Sequence, residues 1–198
     1  MFATIDAANG TNEQDKDFMA HFPLVEPDEA ADPKVKAIYA EIGAELGFGM
    51  VPNLFKSMAL NPYLLEANWK KFRATILTGA LPRTLKEMIG VVIAQATQSP
   101  YALQVHLHSL STLGISEELL HLLVADFDRC PLPQRRKAVI QFGLQAATRP
   151  HSLTASHYQA LREMGLDDAE LFEIIATANL FTAVNQYTDA IDLDIDQL

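Results

Sequence analysis

LPRTLKEMIGVVIAQATQSPYALQVHLHSLSTLG, residues Leu81 to Gly114, is the stretch on which the fold turns. It reads as two helices joined by a tight corner. Pro82 fits the first turn of a helix, where its missing N–H costs nothing. Met88, Val91, Val92 and Gln95 follow at helical spacing. Ser99 and Pro100 form the corner. Serine suits an N-cap and proline the first helical residue, so a second helix starts there and runs to Gly114, a C-terminal stop. Glu87 lies in the first helix, and Tyr101, His106 and His108 lie in the second. Nowhere else does the chain gather a carboxylate, a phenol and two imidazoles so closely in sequence.

Outward from this pair, the same grammar predicts helices on both sides. Asp32-Pro33 opens one with Val35, Ile38, Tyr39, Ile42 and Leu46 on one face, and Gly47 and Gly49 end it. A short helix covers Asn53 to Leu60. Asn61-Pro62 opens another, with Leu65, Trp69, Phe72 and Ile76 in one stripe and Gly79 at its end. Downstream, Ser116 caps a helix carrying Leu119, Leu120, Leu123, Val124 and Phe127. Pro133 to Thr148 forms the next, Thr154 caps one that stops near Gly165, and Asp167 with Glu170 makes a capping box for a long last helix. No segment reads as a strand, so the predicted class is all-α. Residues 1–21 read as a mobile polar arm, 22–191 as one helical domain with Phe22 to Pro27 laid on it as an extended segment, and 192–198 as a frayed acidic tail.

A shift of 51 residues aligns the chain with itself without a gap. Leu81-Pro82 falls on Leu132-Pro133, Ile89 on Ile140, Ala96-Thr97 on Ala147-Thr148, His106 on His157 and Gly114 on Gly165. Caps, stops and core positions match, as a duplicated helical unit would retain them. The copies differ where chemistry would sit: Ala138 replaces Glu87 and Ser152 replaces Tyr101. A functional site therefore belongs to the first copy, and His157 is structural.

Composition narrows the function. The 198 residues carry a net charge of −10, with no basic cluster, which argues against a phosphate-binding nucleic-acid surface and disfavours anionic membranes. No apolar run approaches the ~20 residues of a membrane helix. The single cysteine, Cys130, excludes an internal disulfide framework and fits a reducing cytoplasm. It reads as a spare thiol, with peroxide sensing as the minority reading. His106 and His108 are two residues apart and diverge on a helix, so they make a poor metal pair. There is no nucleotide loop, activated-serine motif or zinc signature. No cofactor is expected.

The central stretch resembles the alkylhydroperoxidase D / carboxymuconolactone decarboxylase family. That family's pattern is a Glu, then twelve residues on a Cys-x-x-Cys, then a His four residues beyond the second Cys. Glu87 and His106 stand at the Glu and His positions, and Ser99 and Ala102 at those of the cysteines. Val51 to Pro62 and Ala147 to Thr154 also resemble segments of peroxidase-related members. The resemblance implies an all-α alkylhydroperoxidase D-like bundle, a homodimer or higher oligomer, and an antioxidant, peroxidase-related label. It also implies that the thiol peroxidase reaction is lost, because a serine hydroxyl does not cycle to a disulfide. Restored cysteines would gain a lowered first-thiol pKa from the helix start.

Glu87, His106 and Tyr101 remain as catalytic candidates. A carboxylate beside an imidazole orients one ring nitrogen and suits acid–base work. One alternative is thus a decarboxylase- or lactone-type enzyme on a small acidic substrate. The other is a non-catalytic oligomer that binds a small molecule or partner, with Glu87 a buried acceptor, His106 a core histidine and Tyr101 a packing residue. A pocket with polar access favours the enzyme, and apolar filling favours the scaffold.

Overall fold

From Leu85 through Ala94, every residue of the central helix is buried. A helix apolar all round has no solvent face and must sit inside. The computed structural model describes residues 21–197, so the predicted arm lies outside the described residues apart from His21. The helices are α1 (Pro33–Glu45), α2 (Asn53–Met58), α3 (Pro62–Phe72), α4 (Arg83–Thr97), α5 (Pro100–Thr112), α6 (Glu117–Ala125), α7 (Gln134–Thr148), α8 (Ala155–Glu163) and α9 (Asp168–Ala190). No strand occurs among the described residues. The class is all-α. The central helix, α4, packs on α5, α6, α7 and α9.

Local chemistry sets most of the ends. Asp32 accepts from the Lys34 N–H, Asn61 from Tyr63 and Leu64, and Ser116 from Leu119. Asp167 and Glu170 exchange hydrogen bonds at 2.8 and 3.0 Å in the expected capping box. His157 does the same for α8, taking the Thr154 N–H on Nδ1 at 3.1 Å, so its role is structural. Three expectations need correction. Pro82 is the N-cap of α4 and not its first turn. The α3 helix stops at Phe72 and continues as a π turn over Arg73–Leu77 before Gly79. That turn opens carbonyls which the fully buried Lys86 uses: Nζ donates to Thr75 O and Thr78 O and pairs with Glu173 on α9. The third is the tail. Ile191 and Leu193 are buried, and Asp196 is only 5% exposed. Its carboxylate has N–H and O–H donors to meet inside, so residues 191–197 lie against the body.

The element boundaries follow the 51-residue interval. The α4 and α7 helices each span fifteen residues after a proline N-cap. Both units end in glycines of positive φ, Gly114 at 82° and Gly165 at 86°. The copies part at their second helix: α5 starts directly at Pro100, whereas α8 waits for a 3-10 turn over Pro150–Ser152.

Two apolar cores result. One surrounds α4, with Ile89, Val91, Ile93, Leu110, Ile140 and Phe181. The other joins α1, α2 and α3 through Ile42, Phe55, Leu65 and Trp69, and includes Tyr101. The helix α5 carries a residue of each, so its cavity-facing side lies at their seam.

Candidate functional site

Glu87 and His106 meet at that seam. The Glu87 Oε2 to His106 Nδ1 distance is 2.8 Å, and the two residues are 3% and 6% exposed. Arg83, one turn before Glu87, brings Nε to Glu87 Oε1 at 3.3 Å. Its other nitrogens donate to Leu46 O and to Ser109 Oγ, which fixes the guanidinium between α1, α4 and α5. Burial pushes the Glu87 carboxyl up. The hydrogen bond and charge of His106, the Arg83 charge and the Ser109 hydroxyl outweigh it and hold the carboxyl below its usual range. An ionised carboxylate only accepts hydrogen bonds, so His106 Nδ1 carries the proton and donates it. The remaining nitrogen, Nε2, has no partner among the described residues. In the neutral ring it is a base, and in the protonated ring a donor.

The ring position depends on Gly90. A Cβ there would lie 2.5 Å from His106 Cε1, 2.6 Å from Nε2 and 2.7 Å from Nδ1. Phe181 of α9 also meets the imidazole edge-on, with centroids 4.3 Å apart. The imidazole thus touches both the α4 backbone at Gly90 and the Phe181 ring.

A cavity opens beside the pair. It leaves about 30 Å³ for the centre of a water molecule, room for one or two waters. Glu87, Tyr101, Ala102, Val105 and His106 line one side. Leu46, Phe48, Pro52, Leu54, Phe55 and Phe72 line another, and Phe181 and Val184 complete it. Apart from Glu87, Tyr101 and His106 the lining is apolar. Ala102 precedes His106 by one helical turn, so the cavity borders the position that the resemblance assigns to the second cysteine.

The other sequence candidates take different places. The Tyr101 hydroxyl donates to Asp196 Oδ2 at 2.7 Å and accepts from Leu54 N at 3.0 Å. Burial, then the Asp196 charge and hydrogen bond, push this phenol well above its usual range. It lines the cavity but its hydroxyl is already engaged. Ser99 occupies the N-cap position without capping: its hydroxyl donates to Asp189 Oδ1 at 2.6 Å instead. A thiolate there would face the Asp189 carboxylate, whose repulsion opposes the lowering of the thiol pKa expected from the helix start. His108 leans edge-on against Phe48. Cys130 is buried, and burial pushes its thiol up despite Lys137, which argues against peroxide sensing. Among the described residues no cluster could hold a metal.

Sequence reasoning missed Arg83, Gly90, Phe181 and Asp196. Arg83 sits four residues before Glu87, a spacing that signals a pair on one helix face. A glycine inside an apolar helix signals a close approach. Nothing local marks Phe181 or Asp196, which arrive from far along the chain.

Comparison with known proteins places the fold. Residues 63–128 match the carboxymuconolactone decarboxylase family model. An alkyl hydroperoxide reductase of Mycobacterium tuberculosis is 29% identical over 106 residues, which cover 54% of this chain and 30% of that protein. The match thus spans less than a third of the relative's length. A peroxidase-related protein of Ralstonia eutropha with the alkylhydroperoxidase AhpD core superimposes with a TM-score of 0.82 at 23% identity, over 90% of this chain and 93% of that one. A peroxidase-related protein of a Silicibacter species gives 0.78 at 22%, over 88% and 93%. The debrominase Bmp8 with bound 2,3,4-tribromopyrrole gives 0.75 at 20%, over 90% and 94%. The carboxymuconolactone decarboxylase match falls on α3 to α6, about a third of the chain, and the fold is shared with these structures over the helical body.

Proposed function

We propose that this chain is a peroxidase-related member of the alkylhydroperoxidase D-like / carboxymuconolactone decarboxylase family that works without thiols: it binds a small, mainly apolar molecule bearing one hydrogen-bonding group, and the Glu87–His106 pair moves a proton on that group. One observation carries the reading. The imidazole is held on Nδ1 by an ionised carboxylate while Nε2 is left without a protein partner, on a ring that lines an apolar cavity. A low-dielectric wall strengthens the hydrogen bond that Nε2 would make. With one cysteine, buried elsewhere, the chain has no dithiol to cycle with peroxide. Ser99 and Ala102 are proposed to stand at the family's cysteine positions. Tyr101 shapes the cavity and moves no proton, because its hydroxyl is engaged.

Binding without turnover is the second reading. The small, apolar cavity favours it, since most lining side chains can only pack. The readings share a ligand and differ in the role of Glu87. A thermal-shift screen of small flat heterocycles, lactones and keto acids tests both. Compounds that stabilise the wild type and not His106→Ala support the site. Consumption of such a compound that Glu87→Gln abolishes supports the enzyme, and binding with no consumption supports the second reading. Compounds that stabilise both proteins equally would refute the site.

A homo-oligomer, dimer or higher, is also proposed. Tyr63, Leu64, Leu60 and Phe22 are each at least half exposed around the start of α3, an apolar surface that a second copy would cover. No helix among the described residues is long and apolar enough to cross a membrane. A cytoplasmic location is proposed on the cysteine usage, and neither nucleic acid nor membrane is proposed as a partner.

A further inference from the structure

The cavity beside His106 is closed by parts that belong to different helices. Pro52 and Leu54 bring in the start of α2, Phe48 the loop before it, and Tyr101 the first turn of α5. One carboxylate joins them. Asp196 accepts from the Asn53 N–H on Oδ1 at 2.7 Å and from the Tyr101 hydroxyl on Oδ2 at 2.7 Å. Tyr101 in turn accepts from Leu54 N, and the Asn53 side chain donates to Asp194 O at 3.1 Å. The segment carrying Asp196 leaves α9 at Ile191 and is anchored by the buried Leu193, whose N–H donates to Thr188 O. It forms a strap outside the cavity.

The wall beneath the strap has its own hinge. Gly47 and Gly49 adopt φ of 85° and 70°, and a Cβ on either would touch nothing within 4 Å. The loop between α1 and α2 is therefore free of packing at these two points. Closed, the wall leaves Glu87, Tyr101 and His106 each no more than 6% exposed around space for one or two waters. Any organic ligand needs the wall to move.

We propose that residues 191–197 and the Gly47–Gly49 loop form a gate over the His106 cavity, latched by Asp196 bridging α2 to Tyr101. Release of that bridge frees α2 from α5 and admits the ligand. The gate rests on the reading of His106 as the ligand's handle, but its test needs no ligand.

Diethylpyrocarbonate acylates a reachable neutral imidazole. Its rate at each histidine of the full-length chain, followed by peptide mass spectrometry at one fixed pH, reports access. His121 and His151 are exposed and serve as internal references. In the wild type His106 should react far more slowly than either. Asp196→Asn keeps the size and removes the charge, and Tyr101→Phe removes one arm of the bridge while keeping the ring. Each should raise the His106 rate about tenfold, the order expected for losing a hydrogen bond to a charged group, with the references unchanged. A wild-type His106 as reactive as His121 would overturn the gate. So would folded variants of both kinds in which the His106 rate does not change. Faster acylation in a protein that binds no compound would leave the gate standing and sink the ligand reading. Binding that depends on His106, with no change in acylation, would do the reverse.

Discussion

Adding a single methyl at Gly90 should reverse the sign of its effect on stability when His106 is removed. Gly90 lies in the interior of α4, where alanine is favoured over glycine by about 1 kcal/mol. In the wild type that gain is outweighed. The new Cβ would sit 2.5 to 2.7 Å from three imidazole atoms, about 1 Å inside ordinary carbon contact. The ring cannot retreat freely, because it is 6% exposed, bonded to Glu87 and in contact with Phe181 at 4.3 Å. A shift of that size away from α4 also stretches the 2.8 Å bond to Glu87 beyond hydrogen-bond range. Overpacking costs about 1–3 kcal/mol and the lost charge-assisted bond about 1.5–3. Net of the helix gain, Gly90→Ala should cost about 1.5–5 kcal/mol. In His106→Ala the space is empty, and the same change should stabilise by about 0.5–1 kcal/mol. Urea denaturation of the four proteins closes the cycle, with a coupling of about 2 kcal/mol or more. An equal cost for Gly90→Ala in both backgrounds would refute the packing of His106 on α4.

Three further outcomes follow from named contacts. Ser99→Cys with Ala102→Cys should reduce hydroperoxide with dithiothreitol no faster than background, because Asp189 faces the first thiol; adding Asp189→Asn should bring turnover, and an already active double variant would contradict this. Glu87 has a folded pKa below its unfolded 4.5, so its stabilising contribution is complete above that value and is lost as pH falls through the lowered one. The stability gap between wild type and Glu87→Gln should therefore stay constant above the unfolded value of 4.5 and narrow as the pH falls below it in denaturation curves, and a gap that widens on acidification would have the wrong sign. Light scattering at micromolar concentration should give a multiple of the 21.9 kDa chain mass, against the monomer that would refute assembly.

The helices were legible in the sequence because their signals are local. Asp32-Pro33, Asn61-Pro62 and Asp167 with Glu170 cap where their spacing says, and the apolar face of α1 is buried as its periodicity implies. The Glu87–His106 meeting was legible through the family spacing, and composition alone could not have supplied it. What stayed hidden depends on contacts across the chain. Serine at a helix start normally caps, but Asp189, ninety residues on, offered Ser99 a carboxylate. Likewise the tail looked unstructured because a run of alternating acids has no helical or strand partner of its own; Asp196 is held by Asn53 and Tyr101, more than ninety residues away. The π turn after α3 is set by Lys86, whose buried ammonium requires the carbonyls that such a turn releases.

The imidazole nitrogens of His106 can be read directly. Long-range ¹⁵N–¹H NMR distinguishes Nδ1 from Nε2 and reports the tautomer of each. The measurement uses the compound from the thermal-shift screen that stabilises the wild type and not His106→Ala. The account predicts that Nδ1 carries its proton to Glu87 before and after binding, and that the Nε2 resonance moves when the compound is added. A compound that binds while neither His106 nitrogen moves would contradict it, as would a free protein in which Nε2, not Nδ1, carries the proton.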